Sequence, residues 1–364
     1  MSAESLVYDR LSQYFDGDLI TSSEIEEVLR AKKISKFGLI CVKYKYKHRI
    51  ISNVRFIGYC ILYAIKSRIS NSTYDLVVTY DPLKTGLVGL IAARIMRAKF
   101  APEVNGVYTS PNEWIDEEKR LSTRLKKTFY PKIMRFVLRH SDGIKLLFDG
   151  QIEQFAEETS GISISSFPCY VDITKFTENN NINDDKTILF VGFPFKRKGV
   201  DILIKAFKKI ASRFPDWKLK ILGWFPEPDQ LYKAISGHTQ IFHHMPVPYK
   251  EMPEHIRACS ILVLPSRSEA MGRVLVESMA AGKARIGSRV DGIPTVINDG
   301  EDGLLVKPAD IDDLADKLEL LMSDSALRNK LGSNGRKRAL KDFTEDRFIQ
   351  RQVEFYEKVL SNTK

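Results

Sequence analysis

The sequence predicts an α/β chain built as two doubly wound domains, and three observations carry this reading. From Asp75 onward, short apolar runs bounded by turn residues alternate with stretches of helical periodicity, the pattern of a parallel sheet wrapped by helices. The chain has 364 residues, long for one domain and natural for two. Between Thr177 and Asp185 lie four Asn and no aliphatic residue but Ile182, the composition of a linker. The domains then read as 1–178 and 179–342, with 343–364 a terminal helix returning to the first domain.

Composition is that of an ordinary globular protein, with apolar content for two cores. Cys41, Cys60, Cys169 and Cys259 are scattered without paired metal-ligand spacing. They read as reduced core thiols in a cytoplasmic protein. The N-terminus carries no signal-peptide pattern. The longest apolar run, Phe56 to Ile65, is too short to span a bilayer. A net charge of +10 favours anionic partners: phosphorylated ligands, anionic lipid or nucleic acid.

In the first domain, Glu4 to Phe15 is expected as an amphipathic helix, Asp18 to Thr21 as a short strand, Glu24 to Lys32 as a helix and Phe37 to Val42 as a strand. Between Val28 and Tyr74 there is no Asp or Glu, yet there are eleven Lys and Arg. Tyr44, Tyr46, Phe56, Tyr59 and Tyr63 are interleaved with them. Such a stretch suits docking on an anionic membrane surface, or else is a solvated basic helix pair with core aromatics. It could also grip nucleic acid, but no recognised nucleic-acid motif accompanies the charge, so that partner is not expected. Then follow strand Asp75 to Tyr80, helix Thr85 to Met96, strand Ala101 to Val104 leading into Asn105-Gly106, basic helix Glu118 to His140, strand Gly143 to Phe148 and helix Gly150 to Glu158. Pro168 to Phe176 reads as a loop.

The second domain opens with strand Thr187 to Val191, a cationic loop from Gly192 through Lys196-Arg197-Lys198-Gly199, and a helix from Val200 to Phe214. Strands Lys218 to Leu222, Gln240 to His243, Ser260 to Leu264, Ala284 to Ser288 and Leu304 to Val306 alternate with helices Asp229 to Ile235, Glu251 to Cys259, Val274 to Ala281 and a short turn at Gly292-Ile293-Pro294. Helices Asp310 to Met322, Ser325 to Lys341 and Thr344 to Leu360 close the chain. A cationic loop between a buried strand and a helix is an anion site in principle. The plainer alternative is a set of exposed loop charges.

The run Pro265 to Glu277 carries the most chemistry. Glu269 falls in a loop at the carboxyl end of a buried strand, where open α/β sheets bind ligands. Glu277 falls about one turn inside the next helix. The first amides of that helix, near Gly272 and Arg273, are free to face an anion, and Gly272 lets a phosphate approach the backbone. Glu277 could accept both hydroxyls of a ribose, and Glu269 hydroxyls of a sugar. The alternative makes Glu269 a helix cap and Glu277 a solvated helix residue. His243-His244 point to opposite faces of a strand and cannot easily share one metal, so no metal requirement is expected.

Lys198-Gly199 after a strand, Pro265-Ser266 before Glu269, then Gly272 and Glu277, closely resemble the donor domain of family 4 glycosyltransferases (glycosyl transferases group 1), retaining enzymes of the GT-B fold. Pro168…Val171-Asp172…Lys175-Phe176, Gly287 to Pro294 and Asn298-Asp299-Gly300…Gly303 to Val306 add to the likeness, which is dense from about residue 168 to 320. The resemblance implies two Rossmann-like doubly wound domains facing a cleft. By position, Glu277 would hold the ribose and Glu269 the sugar hydroxyls. Lys198 would neutralise the diphosphate beside Gly192, with Met271, Gly272, Arg273 and Val274 at the helix start. Val247 would meet the nucleobase through its backbone. Three positions depart from the family. Phe193 stands where an Arg is usual, leaving Arg197 or Arg273 as the second cation. Asn105-Gly106 replaces a His-Gly; Asn105 can orient an acceptor hydroxyl but is a poor base. The chain opens on a helix rather than on the family's first strand and glycine-rich loop, so the first domain is expected without that strand.

The resemblance implies a metal-independent hexosyltransferase with no cofactor, moving sugar from a nucleotide diphosphate-sugar donor to a glycan or lipid-linked acceptor in surface polysaccharide synthesis. Its place would be peripheral, at the inner membrane face. The alternative is a nucleotide-sugar-binding protein of the same fold with weakened or lost catalysis.

Overall fold

The computed structural model describes residues 3–25, 31–118, 120–178 and 185–362. In chain order the elements are α1 (Ala3–Leu11), β1 (Gly17–Ser23), β2 (Lys33–Ile34), β3 (Phe37–Lys43), α2 (Arg49–Ile69), β4 (Leu76–Thr79), α3 (Lys84–Met96), β5 (Lys99–Val104), α4 (Leu121–Arg139), β6 (Gly143–Leu146), β7 (Ser163–Ser166) and α5 (Thr174–Thr177). The second half adds β8 (Thr187–Val191), α6 (Val200–Ile210), β9 (Lys218–Leu222), α7 (Pro228–Ile235), β10 (Ile241–His244), α8 (Met252–Ala258), β11 (Ile261–Leu264) and α9 (Arg273–Ala280). It ends with β12 (Ala284–Ser288), α10 (Ile293–Val296), β13 (Leu304–Val306), α11 (Ile311–Ser323), α12 (Ser325–Asp342) and α13 (Glu345–Ser361).

Two compact units result. One holds Met1–Asn105, Thr128–Tyr170 and Phe348–Lys364; the other holds Gly106–Lys127 and Val171–Arg347. Residues 106–127 therefore cluster with the second unit, where a single boundary at 178 would place them in the first. Carboxylates of that segment, described below, bind the loop after β8.

In the first unit β4-β5-β6-β7 form a parallel sheet, and β1-β3-β2 a separate one in which β1 and β3 run parallel. Helix α2 buries Phe56 and Cys60 against Val42 and Val88. Helix α13 packs Phe355 and Val359 on Ala101 and Phe167. A buried polar network reinforces it. Glu103 accepts from Lys145 Nζ at 3.1 Å and from Gln352 Nε2 at 2.8 Å, so the buried lysine is paired rather than stranded.

The second unit is one six-stranded parallel sheet in the order β10-β9-β8-β11-β12-β13. β11 is buried at every residue, as expected of a strand covered by helices on both faces. Helix α6 turns Leu203, Ala206, Phe207 and Ile210 inward, a spacing that matches its 3.6-residue period. Arg285 on β12 is wholly buried, and its two terminal nitrogens donate to Val296 O at 2.8 Å and to Asp302 O and Oδ1 at 2.7 and 2.8 Å, while Nε has no partner among the described residues.

Two local expectations are corrected, and one strand stands where none was expected. Gly150 to Glu158 is not a helix: Gly150 takes a left-handed φ of +81° and only a single turn at Glu153–Phe155 is helical. Ser163–Ser166 is a strand although Ser-Ile-Ser-Ser carries little apolar signal; its ladder with β6 supplies what propensity lacks. The loop ending at Phe176 closes in the short helix α5. The helix expected over Glu24 to Lys32 and the linker over Thr177 to Asp185 fall largely on residues outside those described.

Candidate active site

The strand order of the second unit reverses direction between β8 and β11, which pair through Ile188↔Ile261 and Leu189↔Leu262. At such a switch point the loops leaving the two strands part to opposite faces and open a crevice at the carboxyl edge. Here those loops are 192–199 and 265–272. They are stitched together by Arg267 N donating to Arg197 O at 2.7 Å and by Arg267 binding both oxygens of Asp201 at 2.8 Å.

Lys198 and Glu269 meet in this crevice, Nζ on Oε2. Both side chains are largely shielded, at 15% and 10% exposure. The loop carrying Glu269 is held rigidly: its N–H donates to Asp291 Oδ2 at 2.9 Å, Ser268 Oγ donates to the same oxygen at 3.0 Å, and Gly292 N–H donates to Glu269 O at 3.1 Å. Ser266 Oγ reaches Glu269 Oε2 at 3.4 Å. Glu269 is not a helix cap. The N-cap of α9 is Gly272, which has no side-chain cap. Of the three loop cations only Lys196 is exposed.

Glu277 is not a solvated helix residue either. It is 5% exposed and accepts from the Tyr249 hydroxyl at 3.1 Å. Burial raises its carboxyl pKa, while Arg273 and the Tyr249 hydrogen bond pull it down. Burial, then the charge of Glu277, raises the Tyr249 phenol in turn. The Tyr249 ring stands edge-on to Phe176, centroids 6.1 Å apart. The hydrogen bond to Glu277 brings the loop that carries Val247 to this carboxylate.

The structure thus groups Gly192, Lys198, Val247, Glu269, Met271, Gly272, Arg273, Val274 and Glu277 in one unit, on loops and helix starts of one sheet. Gly192 lies beside the Lys198 stem: a Cβ built on it would sit 3.8 Å from Lys198 Cδ and Cε. Gly272 adopts φ +79°, and a Cβ there would crowd Leu264 and Leu275 at 3.0 Å. Met271 is buried beneath the turn, and Arg273 is exposed at the first position of α9. Asn105 is placed in the other unit, after β5, where its Nδ2 donates to Tyr80 O at 3.0 Å.

Sequence reasoning missed Glu113, Asp116, Tyr249 and Asp291. Glu113 binds Arg197 Nη1 with both oxygens at 3.1 and 3.0 Å. Burial raises its pKa, Arg197 opposes the rise, and Glu269 adds to it. Asp116 accepts the backbone N–H groups of Lys196 and Arg197, both at 2.8 Å. The acid cluster Glu113…Asp116-Glu117 was the only hint in the sequence. Arg197 is thereby committed to Glu113, which leaves Arg273 as the cation at the helix start.

The arrangement is a cation beside a carboxylate, next to a helix N-terminus whose first N–H groups lack intrahelical acceptors, with a second buried carboxylate one turn on. It can hold an anion at the cation and amides and hydroxyls at the two carboxylates. Residues 172–338 match the family of glycosyl transferases group 1. The match covers the six-stranded sheet and lies within the second unit. An uncharacterized glycosyltransferase of Methanocaldococcus jannaschii is 36% identical over 179 residues, 47% of this chain and 48% of that protein. A capsular polysaccharide biosynthesis glycosyltransferase of Staphylococcus aureus is 32% identical over 198 residues, 51% of this chain and 50% of that protein. The chain thus spans about half the length of the curated relatives it matches. Among solved structures, Anabaena HepE in complex with UDP and glucose superposes with a TM-score of 0.71 at 17% identity, over 98% of this chain and 96% of that one. The fold is accordingly GT-B, an α/β class with two Rossmann-like domains.

Proposed function

We propose that the chain is a retaining, family 4 glycosyltransferase that moves a hexose from a nucleotide diphosphate-sugar to a glycan or lipid-linked acceptor, in surface polysaccharide synthesis at the inner face of a membrane. The observation that carries the reading is the Lys198–Glu269 pair, held beside the Gly272 turn at the switch point of the sheet. The family match over these residues and the capsular polysaccharide relative support it.

In this reading the donor diphosphate takes the place of Glu269 on Lys198 and accepts the first amides of α9. Glu269 is released to the sugar hydroxyls and Glu277 to those of the ribose. The acceptor oxygen bonds to the anomeric carbon on the face from which the diphosphate departs, the carbon–oxygen bond to the diphosphate breaks, and the acceptor proton passes to a departing phosphate oxygen. Charge building on the diphosphate is met by Lys198, Arg273 and the helix-start amides, fixed in advance, which is where electrostatic catalysis is strongest. No metal is assigned a step. Asn105 is proposed to orient the acceptor hydroxyl.

The test is a panel of nucleotide-sugars incubated with the chain, with and without EDTA. Release of one nucleotide diphosphate, unchanged by chelation, is the expected result. Tight binding of a nucleotide with no turnover on any donor or acceptor would overturn transfer in favour of a nucleotide-sugar-binding protein.

A further inference from the structure

Helix α2 has two apolar faces where a surface helix ordinarily has one. Its inner face is accounted for by Phe56 and Cys60 in the core of the first unit. On the opposite side Ile50, Ile51, Val54, Leu62, Ile65 and Ile69 project outward, with Ile50 at 80%, Val54 at 64%, Leu62 at 67% and Ile69 at 77% exposure. At 3.6 residues per turn they fill an arc of about 120° centred opposite Phe56. Arg55 and Lys66 line one edge of that arc and Arg68 the other, all exposed. From Val28 to Tyr74 the sequence supplies eleven Lys and Arg and no acid. Among the described residues no helix is long and apolar enough to cross a membrane.

We infer that the outer face of α2 docks the protein on an anionic lipid surface, lying in the plane of the headgroups. An exposed apolar stripe rimmed by cations is the form of an interfacial helix: the stripe enters the acyl boundary while arginines and lysines stay with the lipid phosphates. The charge chooses the occupant. A second copy of this chain would bring one uniformly basic face against another, and like charges across an interface oppose association. An anionic bilayer answers both the apolar stripe and its rim. The inference rests on the acceptor side of the proposed function, because a lipid-linked acceptor presents itself at such a surface, but its test requires no turnover.

The full chain is sedimented with vesicles of phosphatidylcholine alone and with vesicles of equal parts phosphatidylcholine and phosphatidylglycerol. Binding is expected only to the second kind and is expected to fade with salt. The double variants Leu62→Glu/Ile65→Glu and Arg55→Glu/Lys66→Glu, both altered only at exposed positions, are each expected to weaken partitioning by about tenfold or more with an unchanged circular dichroism spectrum. Equal binding to neutral vesicles would overturn the inference, as would no binding to either. A dimer by light scattering that Leu62→Glu/Ile65→Glu dissolves would give the face to a second copy instead. Donor hydrolysis is measured on the same proteins in solution. Its absence alongside charge-dependent vesicle binding would sink the transferase reading and leave the docking face standing.

Discussion

Glu113 grips Arg197 with both of its carboxylate oxygens, and three residues on, Asp116 accepts the N–H groups of Lys196 and Arg197. The segment 106–127 therefore holds the cationic loop from outside, by side chain and by backbone. A carboxylate across two adjacent amides is the contact a bound anion would make there. Asp116→Asn replaces one acceptor oxygen with an amide that faces an N–H donor. One exposed donor exchanges its carboxylate partner for water, at a cost of about 0.5–1.5 kcal/mol. Thermal unfolding should show a fall of about 2–4 °C per kcal/mol for a unit of this size. An unchanged midpoint would mean the strap does not stabilise the loop.

Lys198 and Glu269 touch each other in the crevice, so each holds the other in place. In the proposed reaction Lys198→Ala removes the cation that would meet the departing diphosphate, and kcat should fall by about 10²–10³-fold, the scale of losing one fixed electrostatic contact. Glu269→Ala should lower kcat as well, through the sugar hydroxyls. Because the two side chains are in contact, the double variant should lose less than the sum of the two single losses. Turnover by Glu269→Ala equal to that of the unaltered protein would remove Glu269 from the chemistry.

Glu277 is a carboxylate whose burial works against its charged form. Burial raises its folded pKa above the ordinary 4.5, so the ionised form is the disfavoured one. Below the ordinary value the group is protonated in folded and unfolded chains alike and alters nothing. As pH rises through the raised folded value, stability is lost. Glu277→Gln keeps an acceptor for the Tyr249 hydroxyl and removes the charge. Its melting temperature should match that of the unaltered protein in acid and exceed it increasingly towards neutral pH. Nucleotide affinity should fall by about ten- to a hundredfold, since hydrogen bonds to a charged acceptor are the stronger ones. A pH-independent difference in melting temperature would count against a buried ionised Glu277.

The carboxyl-edge site was legible because its parts are local. Ile261–Leu264 is a continuous apolar run and reads as a buried strand wherever it is met, and Glu269, Gly272 and Glu277 follow at fixed offsets. The same logic placed Lys198 after Thr187–Val191. What escaped was whatever depends on a distant partner. Ser163–Ser166 is a strand only because β6 lies beside it. Glu113 and Asp116 acquire meaning only when the loop at Lys196 and Arg197 reaches them across some eighty residues. Tyr249 carries no signal of its own in the sequence, and its hydroxyl finds its partner in Glu277, 28 residues on. The burial of Glu277 itself could not be read from helical periodicity, which places it one turn in but does not say what covers it.

Gly199 offers a test of how closely the two site loops must approach. It takes φ +71°, and a Cβ built on it would lie 1.9 Å from the carbonyl oxygen of Pro265. That oxygen is backbone, so no side-chain rotation relieves the clash, and the loops carrying Lys198 and Glu269 must part. Gly300 has φ +76° with nothing within 4 Å of its built Cβ, so it isolates the cost of the left-handed conformation alone. Gly300→Ala should lose about 1–2 kcal/mol and retain donor turnover. Gly199→Ala should lose clearly more in thermal unfolding and lose turnover as well, because Nζ of Lys198 no longer reaches Glu269. Equal losses in the two variants, with turnover kept in both, would show that the approach of the loops at Pro265 is not what positions the pair.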